Sequence, residues 1–454
     1  MMNDNDKKLL KLFDIEEDSV QSFNIDLTEN KYLISIVFNT KLHCCPHCGS
    51  INLYSKGYSH GTLSSAPINN KGTGKINYKI RRYHCNDCNA YPTVDNPISY
   101  KGKQFTKTAI ICILEGLKPY NATYSQIARS YDVSTTKIID IFDTFVQIPR
   151  KTFPRILLID EFYFGSKAKY KYPSIFMNFE NNLIIDIVKS RTHEILSPYF
   201  FQIPKKERET VEYVCTDMSF TFKPLLPTFF PNATLIIDHF HLTKHINGQL
   251  NKIRKRIMNN YKSNKKTLYY RLLKHRYKLL LKSANNIDDD TFSKDRILEY
   301  TTTENGILEV LLGIDKEISE AYKIKEEYLA FDQCQKENIN TCDKEAELRS
   351  LIKRCKKSGI EEMNELADTL ETWKTEILNS FTWIGNRRIS NGPIEGKNNY
   401  IKKILSNANG LTNFERARNR IMYSQNKYET YSSSEHKTKI KEDKDPRGSY
   451  EKNK

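Results

Sequence analysis

The sequence predicts a multidomain α/β protein. Three features carry that prediction: two C-x-x-C pairs near the start, aliphatic runs ending in aspartate in the middle, and a long helical stretch beyond them. Arg155–Glu161 reads R-I-L-L-I-D-E, four aliphatics and then two carboxylates. That is the pattern of a buried central strand whose carboxyl end opens into a site. V-E-Y-V-C-T-D ends a second β-rich run in Asp217, and A-T-L-I-I-D ends a third in Asp238. Ligands gather at the carboxyl ends of strands in an open sheet covered by helices. Taken singly, each Asp is equally an ordinary turn or cap residue. Three in one domain point to shared chemistry.

Composition narrows the class. The 454 residues suffice for two or three domains. Lys and Arg number 71 against 55 Asp and Glu, a formal charge of +16 with a pI near 9.1. Such an excess suits a polyanionic partner, nucleic acid or a membrane surface. No apolar run approaches the roughly 18 residues of a spanning helix, and the start M-M-N-D-N-D-K-K lacks a signal-peptide core. A soluble, intracellular protein without a membrane partner is expected. Ten cysteines, four of them in two C-x-x-C pairs, suggest reduced thiols and metal rather than disulfides.

The pairs are Cys45/Cys48 in C-P-H-C-G and Cys85/Cys88 in Y-H-C-N-D-C. Pro and Gly help such turns present both sulfurs to one ion, and four thiolates close a tetrahedral shell. One structural Zn²⁺ is therefore expected on Cys45, Cys48, Cys85 and Cys88, with Cys44, His43, His47 and His84 as lesser candidates. The run K-Y-L-I-S-I-V-F before the first pair and G-K-I-N-Y-K-I-R-R-Y-H before the second read as strands.

Residues 104–148 read as helices, and T-Y-S-Q-I-A-R-S-Y-D-V-S-T-T-K-I-I-D-I-F fits a helix-turn-helix. Ile127 and Ala128 face the core, Tyr131-Asp132-Val133 form the turn, and Ser134 caps a second helix with Ile138, Ile139 and Phe142 inward. Thr135, Thr136 and Lys137 then begin the recognition helix.

From 155 the period changes. Strands are expected at 155–160, 174–180, 183–189, 211–216 and 233–238, with helices near 194–202 and 219–229. The order β-β-β-α-β-α-β is that of a ribonuclease H-like domain, in which the first and fourth strands are neighbours. Asp160 and Asp217 thereby meet. Side chains alternate along a strand, so Asp160 rather than Glu161 is assigned as the ligand, with Glu161 an accessory residue near the site.

Beyond Asp238-His239-Phe240-His241 the chain turns to long helices up to about residue 380. Residues 242–282 hold thirteen Lys or Arg and no Asp or Glu, interleaved with Tyr261, Tyr269, Tyr270 and Tyr277. A run of one sign reads as a phosphate-backbone track, with Lys252, Arg254, Lys255 and Arg256 as contacts. Residues 283–380 read as amphipathic scaffold. In S-N-G-P-I-E-G-K-N-N, from Ser390 to Asn399, Glu395 sits on a first helical turn beside Lys397, a further DNA contact. It follows a domain that still lacks a third ligand.

Taken together, C-P-H-C-G-S with R-R-Y-H-C-N-D-C, the helix-turn-helix, I-D-E-F, T-D-M-S-F, F-P-N-A-T-L-I-I-D-H-F-H and S-N-G-P-I-E-G-K-N-N-Y-I-K resemble the ISL-three family of DDE transposases. They fall in that family's order over about residues 40–425. The resemblance implies a catalytic triad of Asp160, Asp217 and Glu395. Asp238 and His241 resemble the accessory D-x-x-H element of related transposases. The implied domains are a zinc-binding one at 1–100, a helix-turn-helix at 101–150, a first catalytic part at 151–241, an all-helical insertion at 242–385, Glu-bearing helices at 386–426 and a charged, disordered tail at 427–454.

Three carboxylates suit hard cations, two Mg²⁺ with Mn²⁺ as substitute, bridging a scissile phosphate. The expected substrate is double-stranded DNA, both element ends and target, cut and joined by a homodimer or larger assembly in the bacterial cytoplasm, at the nucleoid. The rival readings are a transposase-derived DNA-binding protein without cleavage and a structure-specific nuclease.

Overall fold

The computed structural model describes residues 4–13, 15–28, 31–67, 74–166, 168–333, 341–408 and 411–427. From residue 428 on, the expected tail lies outside the described residues. In chain order the elements begin with α1 (Asp4–Leu12), β1 (Val20–Leu27), β2 (Tyr32–Phe38), β3 (Leu53–Ser65) and β4 (Gly74–Cys85). Helices α2 (Lys107–Gly116), α3 (Tyr124–Ser130) and α4 (Thr135–Phe145) follow. Then come β5 (Ile156–Glu161), β6 (Ser174–Asn178), β7 (Ile184–Val188), α5 (His193–Phe201), α6 (Lys205–Arg208), β8 (Tyr213–Thr216), α7 (Phe222–Phe229) and β9 (Thr234–Ile237). Helix α8 (His239–Asn260) opens a helical stretch of α9 (Leu268–His275), α10 (Lys278–Leu281), α11 (Glu304–Gly313), α12 (Lys316–Asp332), α13 (Thr341–Lys357), α14 (Glu361–Thr372) and α15 (Lys374–Asn379). Helices α16 (Gly392–Asn407) and α17 (Phe414–Gln425) end the described chain.

Among the described residues these elements form two compact units, one from the chain up to 150 with 164–169 and 398–427, the other from 151–163 with 170–397. The division falls within α16, whereas the sequence groups 386–426 with the catalytic core.

In the first unit the sheet order is β1-β2-β4-β3, with β2 and β4 parallel and the other neighbours antiparallel. Alternation in β2 buries Tyr32, Ile34, Ile36 and Phe38 on one face, against Leu10, Leu63 and Ile76. Where β4 begins, a Cβ on Gly74 would fall inside the Tyr32 ring, so only glycine fits. The long β3–β4 hairpin ends with Leu53 opposite Cys85, which brings the two cysteine pairs together.

Helices α3 and α4 occupy the two stretches read from the sequence as helices of a helix-turn-helix. Thr123 and Gln126 close a capping box at the start of α3, and Asp132 takes a left-handed φ of 50° in the turn. Ala128, Ile138 and Phe142 are buried as expected; Ile127 and Ile139 are only half-buried. Ser134 holds the N-cap position of α4, but its side chain makes no cap bond, a correction to the expected cap.

In the second unit the sheet order is β7-β6-β5-β8-β9. β5, β6 and β7 form an antiparallel meander, and β8 and β9 run parallel to β5. β5 is buried from Ile156 to Asp160 because both sheet faces are covered. Phe200, Leu226, Phe229 and Phe230 pack with Leu157 and Ile159 on one side. The helical stretch has its own core, with Leu250, Ile253, Tyr328, Leu366 and Trp373 buried together. It is not all helix: Ser293–Lys294 pairs with Thr301–Thr302, and Trp383–Ile384 with Arg387–Arg388. Among the described residues no helix is long and apolar enough to cross a membrane.

Candidate active site and metal-binding knuckles

The register of the parallel strands aligns three aspartates. Leu158 of β5 lies beside Cys215 of β8, so continuing the register two residues sets Asp160 beside Asp217. Thr216 of β8 lies beside Ile237 of β9, which in the same way sets Asp217 beside Asp238. All three sit where their strands end, at one edge of the sheet.

Asp238 is 2% exposed and occupies the N-cap of α8, but its carboxylate does not cap that helix. One oxygen faces His241 Nδ1 at 2.8 Å, which identifies that nitrogen as the protonated one. The other accepts from the backbone N–H of Asn391 at 3.1 Å. Asn391 in turn donates its side-chain amide to the carbonyl of Ile159 at 2.9 Å. The start of α16 is thus tied to β5 and to Asp238. Glu395 lies one turn further along α16, its N–H bonded to the Asn391 carbonyl at 3.0 Å, and it is exposed.

Burial dominates the electrostatics. It lifts the Asp160 carboxyl to about 6, against a weaker pull from the His241 charge. Asp217 and Glu161 are raised by burial too. His241 is raised in its turn, first by its bond to Asp238. Beyond burial, the Glu161 carboxyl is pulled down by Arg191 and His241 and pushed up by Asp217. It is engaged by Arg191, whose Nη1 lies 2.5 Å away. Arg191 also acts on Asp217, and nothing in K-S-R-T-H marks it in the sequence.

The structure therefore brings together Asp160, Asp217, Asp238, His241 and Glu161, and leaves Glu395 exposed on a helix anchored to the same strand ends. Among the described residues, the cysteines are the one group of three or more potential ligands drawn within 4.8 Å of one another. From Asp217 and His241 a hollow of about 540 Å³ continues along α8 past Lys244, His245, Gly248 and Lys252.

The cysteines meet the expectation closely. Cys45 Sγ lies 3.7 Å from Cys88 Sγ, and Cys48 Sγ 3.6 Å from Cys85 Sγ. A tetrahedron with metal–sulfur bonds of about 2.3 Å has edges of about 3.8 Å, so the four residues fit one zinc ion. Each knuckle turns on a left-handed residue directly after its second cysteine, Gly49 at φ 74° and Asn89 at φ 56°. His84, a lesser candidate, instead packs its ring between Tyr54 and Tyr91.

At the start of α4 Thr136 and Lys137 are exposed and Thr135 half-buried, with Lys137 Nζ bonded to Gln104 at 2.8 Å. Lys397 is half-buried. The basic track needs a correction. Arg254 is only 6% exposed: it donates to the Leu273 carbonyl at 2.6 Å and lies over the Tyr277 ring. It braces two helices and does not face a phosphate. Lys252 pairs with Glu365, and Arg256 with Glu317 and Glu362. Lys255, Lys262, Lys265 and Lys266 remain exposed.

A family model described as "Transposase", of the ISL-three DDE type, matches residues 157–421, more than half of the chain. No curated protein matches it.

Proposed function

Because the chain belongs to the ISL-three family of DDE transposases, we propose that it binds the terminal inverted repeats of its own insertion sequence and catalyses metal-dependent strand cleavage and strand transfer on a ribonuclease H-like core. The observation that carries this is the alignment of Asp160, Asp217 and Asp238 at the ends of three adjacent parallel strands. The strand order, with the first strand between an antiparallel meander and two parallel neighbours, supports the fold assignment.

Asp160, Asp217 and Glu395 would hold the divalent cations, two Mg²⁺ with Mn²⁺ as substitute. The donor set fits: all are carboxylates, and one oxygen of Asp217 is buried without a hydrogen-bond partner. Cations held there supply Lewis acidity at the scissile phosphate and at the attacking and leaving oxygens. The chain's own groups have separate tasks. Asp238 orients His241 through Nδ1–H and favours its charged form, in which Nε2–H can donate to a phosphate oxygen. Asn391 holds the Glu395-bearing helix to the strand ends. Arg191 neutralises Glu161 and leaves Asp160 as the ligand from that strand.

The same reading assigns Thr135, Thr136 and Lys137 to base recognition, the exposed lysines after α8 to phosphates, and the zinc knuckles to the stability of the end-binding module. It places a dimer or larger assembly on DNA at the bacterial nucleoid. Incubating the protein with Mg²⁺ and a duplex carrying the terminal repeat tests it. Cleavage at the repeat's end, followed by joining of that 3′ end to a second duplex, is the expected result. Cutting without joining would favour a nuclease, and binding without cutting a DNA-binding protein only.

A further inference from the structure

We infer that a hollow inside the first unit, walled by the helix-turn-helix and α17, is a phosphate-binding site. It is about 500 Å³ in volume, and it is separate from the strand-end carboxylates.

Arg420 forms part of its wall and is 2% exposed. Its Nη2 donates to the carbonyls of Pro119 and Ala122 at 3.0 Å each. Its Nη1 is buried with no partner. The neighbouring Arg416 shows how this helix treats a guanidinium that has an acid: it grips both oxygens of Asp143 at 2.6–3.0 Å. Among the described residues no carboxylate pairs with Arg420 in this way.

Two further walls carry orphan donors. Tyr124 Oη and Asn413 Nδ2 line the hollow, and both are buried without hydrogen-bond partners. Arg129 and Arg416 line it too, and no acidic residue does. A buried Arg420 Nη1, Tyr124 Oη and Asn413 Nδ2 without partners each cost free energy that an acceptor would recover. Three donors and a positive wall specify a small ligand that is rich in acceptors and anionic. A phosphate group meets both demands, with tetrahedral oxygens for separate donors. That phosphate is either one on the backbone of duplex DNA or one carried by a free small molecule.

Full-length protein tests the site in two arms, titrated with inorganic phosphate and with duplex DNA at fixed ionic strength. Arg420→Gln is the direct variant, but a buried guanidinium also supports the fold. Asn413→Asp is therefore the deciding one. Asp caps α17 as Asn413 now does, and it puts a carboxylate in the wall to satisfy Arg420. Hydrogen exchange over residues 411–420 of the unaltered protein reads occupancy without any variant.

If the ligand is a free phosphate, inorganic phosphate protects that segment, and Asn413→Asp weakens its binding at least tenfold while DNA affinity stays unchanged. If the ligand is a backbone phosphate, duplex protects the segment, and the variant weakens all duplexes by a similar factor. No protection in either arm, or equal affinities for the variant and the original in both, overturns the proposal.

Discussion

Asp238 illustrates how a single side chain joins the site to its support. Its two oxygens hold His241 on one side and the start of α16 on the other. Truncation by Asp238→Ala leaves a buried N–H of Asn391 without its acceptor, and such a loss costs roughly 1–3 kcal/mol. Urea unfolding is expected to show that loss, and an unchanged midpoint would contradict the role. The aspartates were legible in the sequence because each ends an aliphatic run, so strand end and carboxylate announce each other. Nothing in S-N-G-P-I-E-G-K-N-N marks Asn391 as a brace for the site. Its contact with Ile159 spans 232 residues, and local pattern carries no trace of a bond over that distance.

At the scale of elements, the two knuckles and the basic stretch behave oppositely. The knuckles were readable from spacing alone, since C-x-x-C is a local geometry that any fold can present. Cys85→Ser is expected to remove stoichiometric zinc and lower the melting temperature. A strong chelator should have the same effect on the unaltered chain, because ligand binding and folding are coupled. Retained zinc in Cys85→Ser would contradict the assignment.

The basic stretch misled because its charges have one sign only within the stretch. The partners of Arg256 come from far along the chain, Glu362 being 106 residues away. Arg254 turns inward because its face of α8 is a helix-packing face. Arg254→Met is therefore expected to destabilise by roughly 1–3 kcal/mol, through the lost bond to Leu273 and lost stacking, with the salt dependence of DNA binding unchanged. Changing Lys255, Lys262, Lys265 and Lys266 to Gln should instead flatten that dependence by about one counterion per lost contact. A reduced salt slope in Arg254→Met would instead place Arg254 among the phosphate contacts.

Across the whole molecule, a formal charge of +16, four cysteines that fit one zinc ion and membership of a transposase family agree with DNA as the substrate. The element order was legible in outline because buried strands and amphipathic helices differ in period. The inward turn of the α17 arginines was not, since an Arg-rich helix gives no sign of which face packs.

The central claim is that Asp160, Asp217 and Glu395 act together on the scissile phosphate, and Glu395 is the exposed member, supplied from a separate helix. The direct measurement is Mg²⁺-dependent cleavage of a terminal-repeat duplex by Asp160→Asn, Asp217→Asn, Glu395→Gln and Glu161→Gln side by side, with end binding measured in parallel. The first three are expected to lose cleavage by roughly a thousandfold or more, several kcal/mol of barrier, while binding persists and Glu161→Gln remains active. Cleavage retained in Glu395→Gln, or lost equally in Glu161→Gln, would contradict the assignment.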